Sequence, residues 1–163
     1  MPLLFFKGFH ALQSYRVAHY YWNQGREALA LYLQSRISKI FSVDIHPAAR
    51  IGSGIHIDHA TGVVIGETAV IGQRVRIYQA VTLGAKRFPT DETGQLKKGA
   101  PRHPILEDEV VVYAGATILG RITIGRGSSI GGNVWLTRSV PAGSHVSQAS
   151  LQHEPGGAGR VRQ

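Results

Sequence analysis

The sequence predicts a mainly β protein, a three-faced parallel β-helix that is preceded by two short α-helices. A large aliphatic residue recurs every six positions, a small or β-branched residue usually follows four positions later, and glycine often stands directly after the aliphatic. The recurring aliphatics are Ile45, Ile51, Ile57 and Val63, then Ile65, Ile71, Ile77 and Leu83, and finally Leu106, Val112, Ile118, Ile124, Ile130 and Leu136. A period of six fits neither a lone helix nor an alternating strand, and it is typical of a solenoid whose coils have three short faces.

Stacking explains why such short units can be stable. A six-residue unit cannot bury its own aliphatic side chain, so it becomes stable only against its neighbours. The chain has 163 residues and is 43% hydrophobic, which is enough for one continuous core. A β-sandwich of many short strands is the alternative fold, but it does not require so many aliphatics at one spacing.

Two helices are predicted before the repeats. Apolar and aromatic residues are spaced by three and four over 3–24 and over 26–41, and Gly25 separates the two stretches. We therefore expect an N-terminal helical segment over 1–42.

The β-helix is expected over 43–141 and a flexible C-terminal tail over 142–163, where glycine is frequent. The third run of repeats begins 23 residues after the second ends, from Leu83 to Leu106. The register has therefore slipped, and 84–104 has the composition of a long protruding loop.

Composition excludes several classes of function. The absence of Cys excludes disulfides, thiolate metal ligands and a Cys nucleophile. No apolar run reaches the length of a membrane span and no signal peptide is apparent, so we expect a cytoplasmic protein without a membrane partner.

The net charge of +8 raises the question of an anionic partner. Basic residues collect around the long loop, at Lys86, Arg87, Lys97, Lys98 and Arg102. No basic helix or aromatic-interleaved strand accompanies them, so nucleic acid is not expected. The same charges would attract a polyanionic small molecule.

Two clusters could carry chemistry. The first combines Asp44 and His46 with Asp58 and His59, all close to the first coil. A carboxylate beside a His can fix the ring tautomer and stabilise the imidazolium, but corner residues that bind backbone groups would give the same spacing.

The second cluster is Arg102-His103 at the end of the long loop. The planar fork of Arg suits a carboxylate, whereas spacing alone favours a solvated loop tip. The other histidines are interpreted as surface or packing residues: His10, His19, His56, His145 and His153.

Several segments together resemble bacterial serine O-acetyltransferases of the hexapeptide-repeat acyltransferase superfamily. They are Val43–Ala49, Asp58–Gly62, Gly66–Ala69, Val81–Gly84, Arg102–Pro104 and Gly115–Gly120. The resemblance extends from about Pro2 to about Val140. The repeats alone indicate only the superfamily, whereas Asp-His-Ala-Thr-Gly followed by Arg-His-Pro is much more specific.

The resemblance implies a left-handed β-helix, a homotrimer with active sites between subunits, and direct acetyl transfer from acetyl-CoA to the hydroxyl of L-serine, for cysteine biosynthesis. It implies that His59 is the general base and Asp44 its orienting carboxylate. Asp58 would hold the amino group of serine and Arg102 its carboxylate, while His103 would assist substrate binding or the tetrahedral intermediate.

Acetyl-CoA is the implied co-substrate. The matching small residues, where pantetheine would approach the backbone, are Gly84, Ala85, Ala114, Gly115 and Gly132. No metal is expected, because the His pair five residues apart that a γ-type carbonic anhydrase requires is not found.

Three features depart from the family. Only the last two helices of its N-terminal domain are recognisable, so the further serine-binding carboxylate of that domain has no counterpart, and the loop over 84–104 is longer than usual. The sequence ends Arg160-Val161-Arg162-Gln163 instead of with the Ile that the family inserts into cysteine synthase, so that complex is in doubt. Two alternatives stay open: a hexapeptide acetyltransferase with another hydroxyl or amine acceptor, and a non-catalytic scaffold or regulatory homologue.

Overall fold

The computed structural model describes residues 2–87, 90, 92–95 and 100–148. Three helices lead the described chain, and they are α1 Pro2–Phe5, α2 Lys7–Asn23 and α3 Glu27–Phe41. The first predicted helix is divided at Phe6, whose backbone is extended with φ −91° and ψ 111°. Among the described residues, no helix combines the length and the apolar character needed to cross a membrane.

Short parallel strands form the rest of the described fold. They are β1 Asp44–Ile45, β2 Arg50–Ile51, β3 His56–Ile57, β4 Val64–Ile65, β5 Val70–Ile71, β6 Arg76–Ile77, β7 Thr82–Gly84, β8 Ile105–Leu106, β9 Val111–Val112, β10 Thr117–Leu119, β11 Thr123–Ile124, β12 Ser129–Ile130, β13 Trp135–Leu136 and β14 His145–Val146. Face A contains β1, β4, β7, β10 and β13, face B contains β2, β5, β8 and β11, and face C contains β3, β6, β9, β12 and β14.

The register confirms the six-residue pattern as the origin of the core. Ile45 pairs with Ile65, and Ile65 pairs with Leu83, so that like side chains stack along each face. These three side chains are almost completely buried. Full burial of each aliphatic contributes roughly 1.5–3 kcal/mol, but only when the neighbouring coils are present.

One irregularity lies in the first coil, where Ile45 pairs with Ile65, 20 positions on. The next coil, from Ile65 to Leu83, takes 18 positions. The sequence pattern assigned Val63 to the six-residue repeat, but Val63 occupies the position two residues before the inward aliphatic, like Val81. The two extra residues therefore fall between Ile57 and Val63, in the corner that joins face C to face A.

The second irregularity is the long loop. Leu83 on face A and Leu106 on face B are successive inward residues, so the loop occupies a single corner and no coil is skipped. Residues 88, 89, 91 and 96–99, which include Lys97 and Lys98 of the basic cluster, lie outside the described residues.

The β-helix continues beyond the boundary that the sequence suggested at 141. Strand β14 pairs in parallel with β12, through His145 and Val146. The beginning of the predicted tail is therefore a further strand, and residues 149–163 lie outside the described part of the chain.

Helix α2 is fastened to the first coil. Arg16 Nη2 donates to the Gly52 carbonyl at 2.8 Å, and the buried Tyr15 hydroxyl donates to the Ala49 carbonyl. At the start of the helix, a Cβ on Gly8 would lie 2.0 Å from the Ile57 carbonyl oxygen, so only glycine permits this approach. The helix therefore begins directly beside the irregular corner.

Candidate active site

The predicted site residues divide between two edges of the triangular prism. The C–A edge, where face C turns into face A, carries Asp58 and His59 and, further along the axis, Ala114, Gly115 and Gly132. The A–B edge, where face A turns into face B, carries Gly84, Ala85, Arg102 and His103. Asp44 is the first residue of β1, on face A beside the C–A edge.

His59 stands on the two-residue insertion. Its backbone and that of Ala60 are left-handed, with φ 57° and 63°, a conformation in which His is enriched among non-glycine residues. The His59 N–H donates to Asp58 Oδ1 at 3.1 Å, and the ring Nε2 lies 4.0 Å from the same oxygen. The His59 side chain is 71% exposed, so the insertion holds an imidazole out from the edge.

Asp44 has a different partner from the one that the family resemblance implied. Its Oδ1 accepts a hydrogen bond from Gln34 Nε2 of α3 at 2.6 Å. No hydrogen bond joins Asp44 to His59, both of which lie within the described chain. The orienting role of Asp44 therefore stays a prediction, and Gln34 is a neighbour that sequence reasoning missed.

A cavity of about 300 Å³ adjoins His59. Its lining comes from the start of α2 and from the irregular corner: Phe5, Phe6, Lys7, Gly8, Ile57, Asp58 and His59. Lys7 Nζ donates to Thr61 Oγ1, which ties the helix to the loop that carries His59. No local sequence pattern indicates this wall, since Lys7 and Thr61 are 54 positions apart.

The later coils continue the C–A edge with aromatic and small residues. The Tyr78 and Tyr113 rings stack with centroids 5.3 Å apart and planes 15° apart. Beside them, Ala114 and Gly115 begin a corner in which Gly115 has φ 72°. A Cβ on Gly132 would lie 3.3 Å from the Ala114 carbonyl oxygen. These small side chains leave the backbone of the edge accessible.

On the A–B edge, Arg102 is held by an ion pair. Its Nη2 lies 2.5 Å from Glu67 Oε2, and the two side chains are only 19% and 21% exposed. Arg102 Nη1 makes a longer contact of 3.4 Å with the Ala100 carbonyl. The Arg102 guanidinium is therefore held in position by the protein. The interpretation of Arg102 as part of a solvated loop tip, which spacing alone favoured, is wrong.

His103 is buried beside Arg102, with 7% of its surface exposed. Its Nδ1 lies 3.1 Å from the Thr68 nitrogen and 2.9 Å from Thr68 Oγ1. A Cβ on Gly66 would lie 2.0 Å from the His103 ring, so glycine makes room for it. Burial, followed by the positive charge of Arg102, lowers the pKa of His103 to about 4, and the ring is neutral near pH 7.

His46 extends the same cluster. Burial lowers its pKa, and the nearby carboxylates of Glu67 and Asp44 oppose that effect. The His46 Nδ1 accepts a hydrogen bond from the Ala48 N–H at 3.1 Å, and its ring meets Trp22 edge to face at 5.1 Å. His46 is therefore a positioned neighbour of the site and not a partner of His59.

A basic cavity of about 300 Å³ adjoins the A–B edge. Its lining includes four cationic side chains, Lys86, Arg87, Arg102 and Arg121. The three described members of the predicted basic cluster, Lys86, Arg87 and Arg102, are thus gathered in one place together with Arg121. Within the described residues, no group of three or more His, Cys, Asp or Glu side chains is placed to hold a metal ion.

The coils and their polar corners define a left-handed β-helix protein of the hexapeptide-repeat class, as the sequence predicted. No family model matches the chain. It is 60% identical to the "Serine acetyltransferase, plasmid" of Synechococcus elongatus over 93% of this chain and 48% of that protein. It is 54% identical to the serine acetyltransferase of Escherichia coli K12 over 92% of this chain and 51% of that protein.

Solved structures agree with these relatives. The serine acetyltransferase of Vibrio cholerae matches with a TM-score of 0.83 and 51% identity, over 91% of this chain and 54% of that chain. The serine acetyltransferase of Neisseria gonorrhoeae in complex with serine matches with a TM-score of 0.81 and 46% identity, over 90% of this chain and 56% of that chain. A serine acetyltransferase in complex with CoA matches with a TM-score of 0.79 and 51% identity, over 88% of this chain and 56% of that chain.

The chain is a homologue of the serine acetyltransferases, as the resemblance of its motifs indicated. It spans about half the length of the curated relatives that it matches.

Proposed function

We propose that this protein is a cytoplasmic, homotrimeric serine O-acetyltransferase, which transfers an acetyl group from acetyl-CoA to the hydroxyl of L-serine and so supplies O-acetylserine for cysteine biosynthesis. Its relatives are serine acetyltransferases, and solved structures similar to it contain serine or CoA. The observation that carries the proposal is the division of the site residues between two edges of one face.

That division supports a site that is completed by a second subunit. Face A lies between His59 on the C–A edge and Arg102 on the A–B edge, so the two groups stand at different edges of one chain. In a closed ring of three copies with face A towards the axis, the C–A edge of one subunit adjoins the A–B edge of the next. A single substrate between them would touch both.

The outer surface of face A suits such an assembly. Its outward side chains after Asp44 carry no charge: they are Val64, Thr82, Thr117, Leu119 and Trp135. Trp135 is 69% exposed in the single chain. Exposed aromatic side chains without neighbouring charges are typical of protein interfaces.

The acceptor would be held by opposite charges from the two edges. The Asp58 carboxylate suits the ammonium of an amino acid, and the Arg102 guanidinium suits its carboxylate. Glu67 already fixes one side of that guanidinium, so its remaining N–H groups are oriented before substrate arrives.

The exposed His59 would act as the general base. It removes the hydroxyl proton of serine while the serine oxygen attacks the thioester carbonyl carbon. The tetrahedral intermediate then expels the CoA sulfur as the C–S bond breaks, and the His59 imidazolium returns the proton to that sulfur. The neutral His103 ring would donate a hydrogen bond to serine or to the oxyanion. The transfer is direct, without an acyl-enzyme.

The donor would lie along the same cleft. Ala114, Gly115 and Gly132 border it on one side, with Gly84 and Ala85 on the other. The basic cavity that includes Lys86, Arg87 and Arg121 would attract the phosphates of acetyl-CoA.

An acceptor other than serine is the second candidate, because the cavity beside His59 is lined by Phe5, Phe6 and the cation Lys7. The test is thiol release from acetyl-CoA with L-serine, compared with a panel of sugars and amines. We expect serine to be the preferred acceptor and His59→Ala to abolish most of the rate. Turnover of another acceptor without turnover of serine would favour the second candidate. Binding of acetyl-CoA without thiol release in the presence of any of these acceptors would indicate the non-catalytic scaffold or regulatory homologue.

A further inference from the structure

We propose that Thr68 is a positioning residue of the A–B edge, which fixes His103 as the tautomer that carries its proton on Nε2 and holds the Arg102-His103 backbone in place. The inference rests on the proposed function, in which His103 and Arg102 face the acceptor. Thr68 belongs to the corner after β4, one coil before His103, and the two residues are 35 positions apart.

The donors and acceptors around Thr68 allow one arrangement. Thr68 Oγ1 lies 2.9 Å from the Arg102 nitrogen and 3.1 Å from the His103 nitrogen, and both backbone N–H groups can only donate to it. The single hydrogen of the Thr68 hydroxyl is then directed at the remaining neighbour, His103 Nδ1, at 2.9 Å.

A second donor meets the same ring nitrogen. The Thr68 backbone N–H donates to His103 Nδ1 at 3.1 Å. A ring nitrogen that accepts hydrogen bonds carries no proton, so the proton of the neutral ring is on Nε2. His103 is thereby a hydrogen-bond donor through Nε2, which is what a serine oxygen or an oxyanion requires.

The surroundings keep this arrangement rigid. The ring is nine-tenths buried and stands beside the Arg102 cation, and both effects oppose its protonation. Arg121 Nη1 donates to the carbonyls of Thr68 at 2.7 Å and of His103 at 3.1 Å, so it also joins the two stacked corners. Thr68 therefore anchors the point at which the long loop returns to the β-helix.

The matched substitutions are Thr68→Val, which keeps the shape and removes the hydroxyl, and Thr68→Ser, which keeps the hydroxyl. Loss of the hydroxyl leaves two partly buried N–H groups without their acceptor, so we expect Thr68→Val to lower kcat/KM for serine by about 10–100-fold. Thr68→Ser should stay within about 3-fold of wild type, since it retains every hydrogen bond. Thr123→Val on face B is the control, and it should change neither the rate nor the thermal melting.

The tautomer is read directly by ¹⁵N-correlated NMR of the imidazoles, with His103→Gln to assign the signal. We expect the wild type and Thr68→Ser to show a protonated Nε2 and an unprotonated Nδ1. Thr68→Val keeps the backbone N–H donor to Nδ1 but loses the hydroxyl donor, so we expect it to show a larger share of the tautomer that is protonated on Nδ1. A wild-type ring protonated on Nδ1 would overturn the inference, as would a Thr68→Val protein with unchanged tautomer and rate. Equal loss of activity and thermal stability in the Val and Ser variants would also overturn it, because the role would then be purely structural.

The NMR result does not depend on the reaction. If the wild type failed to acetylate serine, the proposed function would fail while the tautomer measurement still decided the role of Thr68.

Discussion

The C–A edge and the A–B edge each present a histidine, but in opposite environments. His59 stands on an insertion with left-handed backbone and is 71% exposed, whereas His103 is 7% exposed and is held by Thr68. A ring in water carries a positive charge at less cost than a buried ring does, so the exposed edge suits proton transfer. The buried A–B edge suits a neutral imidazole that is fixed as a hydrogen-bond donor. This difference underlies the proposal that each edge contributes one half of a shared active site.

The largest effect is expected on the C–A edge. His59→Ala should lower kcat by roughly 10²–10⁴-fold, the usual contribution of a general base. The affinity for acetyl-CoA, measured by calorimetric titration, should barely change. His59→Asn controls for the backbone, because Asn adopts the left-handed conformation more readily than Ala. Near-normal turnover in both variants would remove His59 from the mechanism.

A different kinetic pattern is expected on the A–B edge. Arg102→Lys keeps the charge and loses the planar fork, so the KM for serine should rise by about 10-fold or more with a smaller change in kcat. Arg74→Lys is the matched control, since Arg74 forms an exposed ion pair with Glu109 and should affect neither constant. A fall in kcat alone for Arg102→Lys would contradict a role in binding the carboxylate.

Asp44→Asn tests whether the C–A edge needs an orienting carboxylate. The substitution keeps the size of the side chain and can keep the hydrogen bond from Gln34. We expect kcat to fall by roughly 10-fold, as for partners that orient a catalytic group, with the KM for serine unchanged. A loss as large as that of His59→Ala, or no loss, would each contradict an orienting role.

The smallest effect is a dependence of stability on pH that belongs to the A–B edge. Burial lowers the pKa of His103 from 6.5 to about 4, so between these values the unfolded chain binds more protons than the folded chain. The stabilisation is complete above about pH 6.5 and is lost as the pH falls towards 4. The melting temperature of the wild type should therefore decline more steeply over this window than that of His103→Gln. Parallel curves would contradict the lowered pKa.

The sequence predicted the fold well because one physical requirement repeats in every coil. Each inward aliphatic had to stack on its counterpart, and Ile45, Ile65 and Leu83 do so. The position of the insertion could not be read in the same way. Valine fits both the inward position and the small position two residues earlier, and only the pairing of the strands assigned Val63 to the latter.

The candidate residues came from motifs, but their neighbours did not. Thr68 contacts His103, which is 35 positions away in the sequence, and Lys7 contacts Thr61, which is 54 positions away. Neither contact can be predicted from a local sequence pattern. One signal was available in principle. Once Ile71 is paired with Leu106, the same offset of 35 brings Thr68 to His103.

The central claim is that each site joins the C–A edge of one subunit to the A–B edge of the next. Two differently tagged variants, His59→Ala and Arg102→Ala, can be co-expressed and purified through both tags, so that every trimer contains both. By threefold symmetry each mixed trimer holds one intact site, and we predict about a third of the wild-type kcat per trimer, although either variant alone is nearly inactive. Mixed trimers no more active than the two separate variants would contradict the shared site.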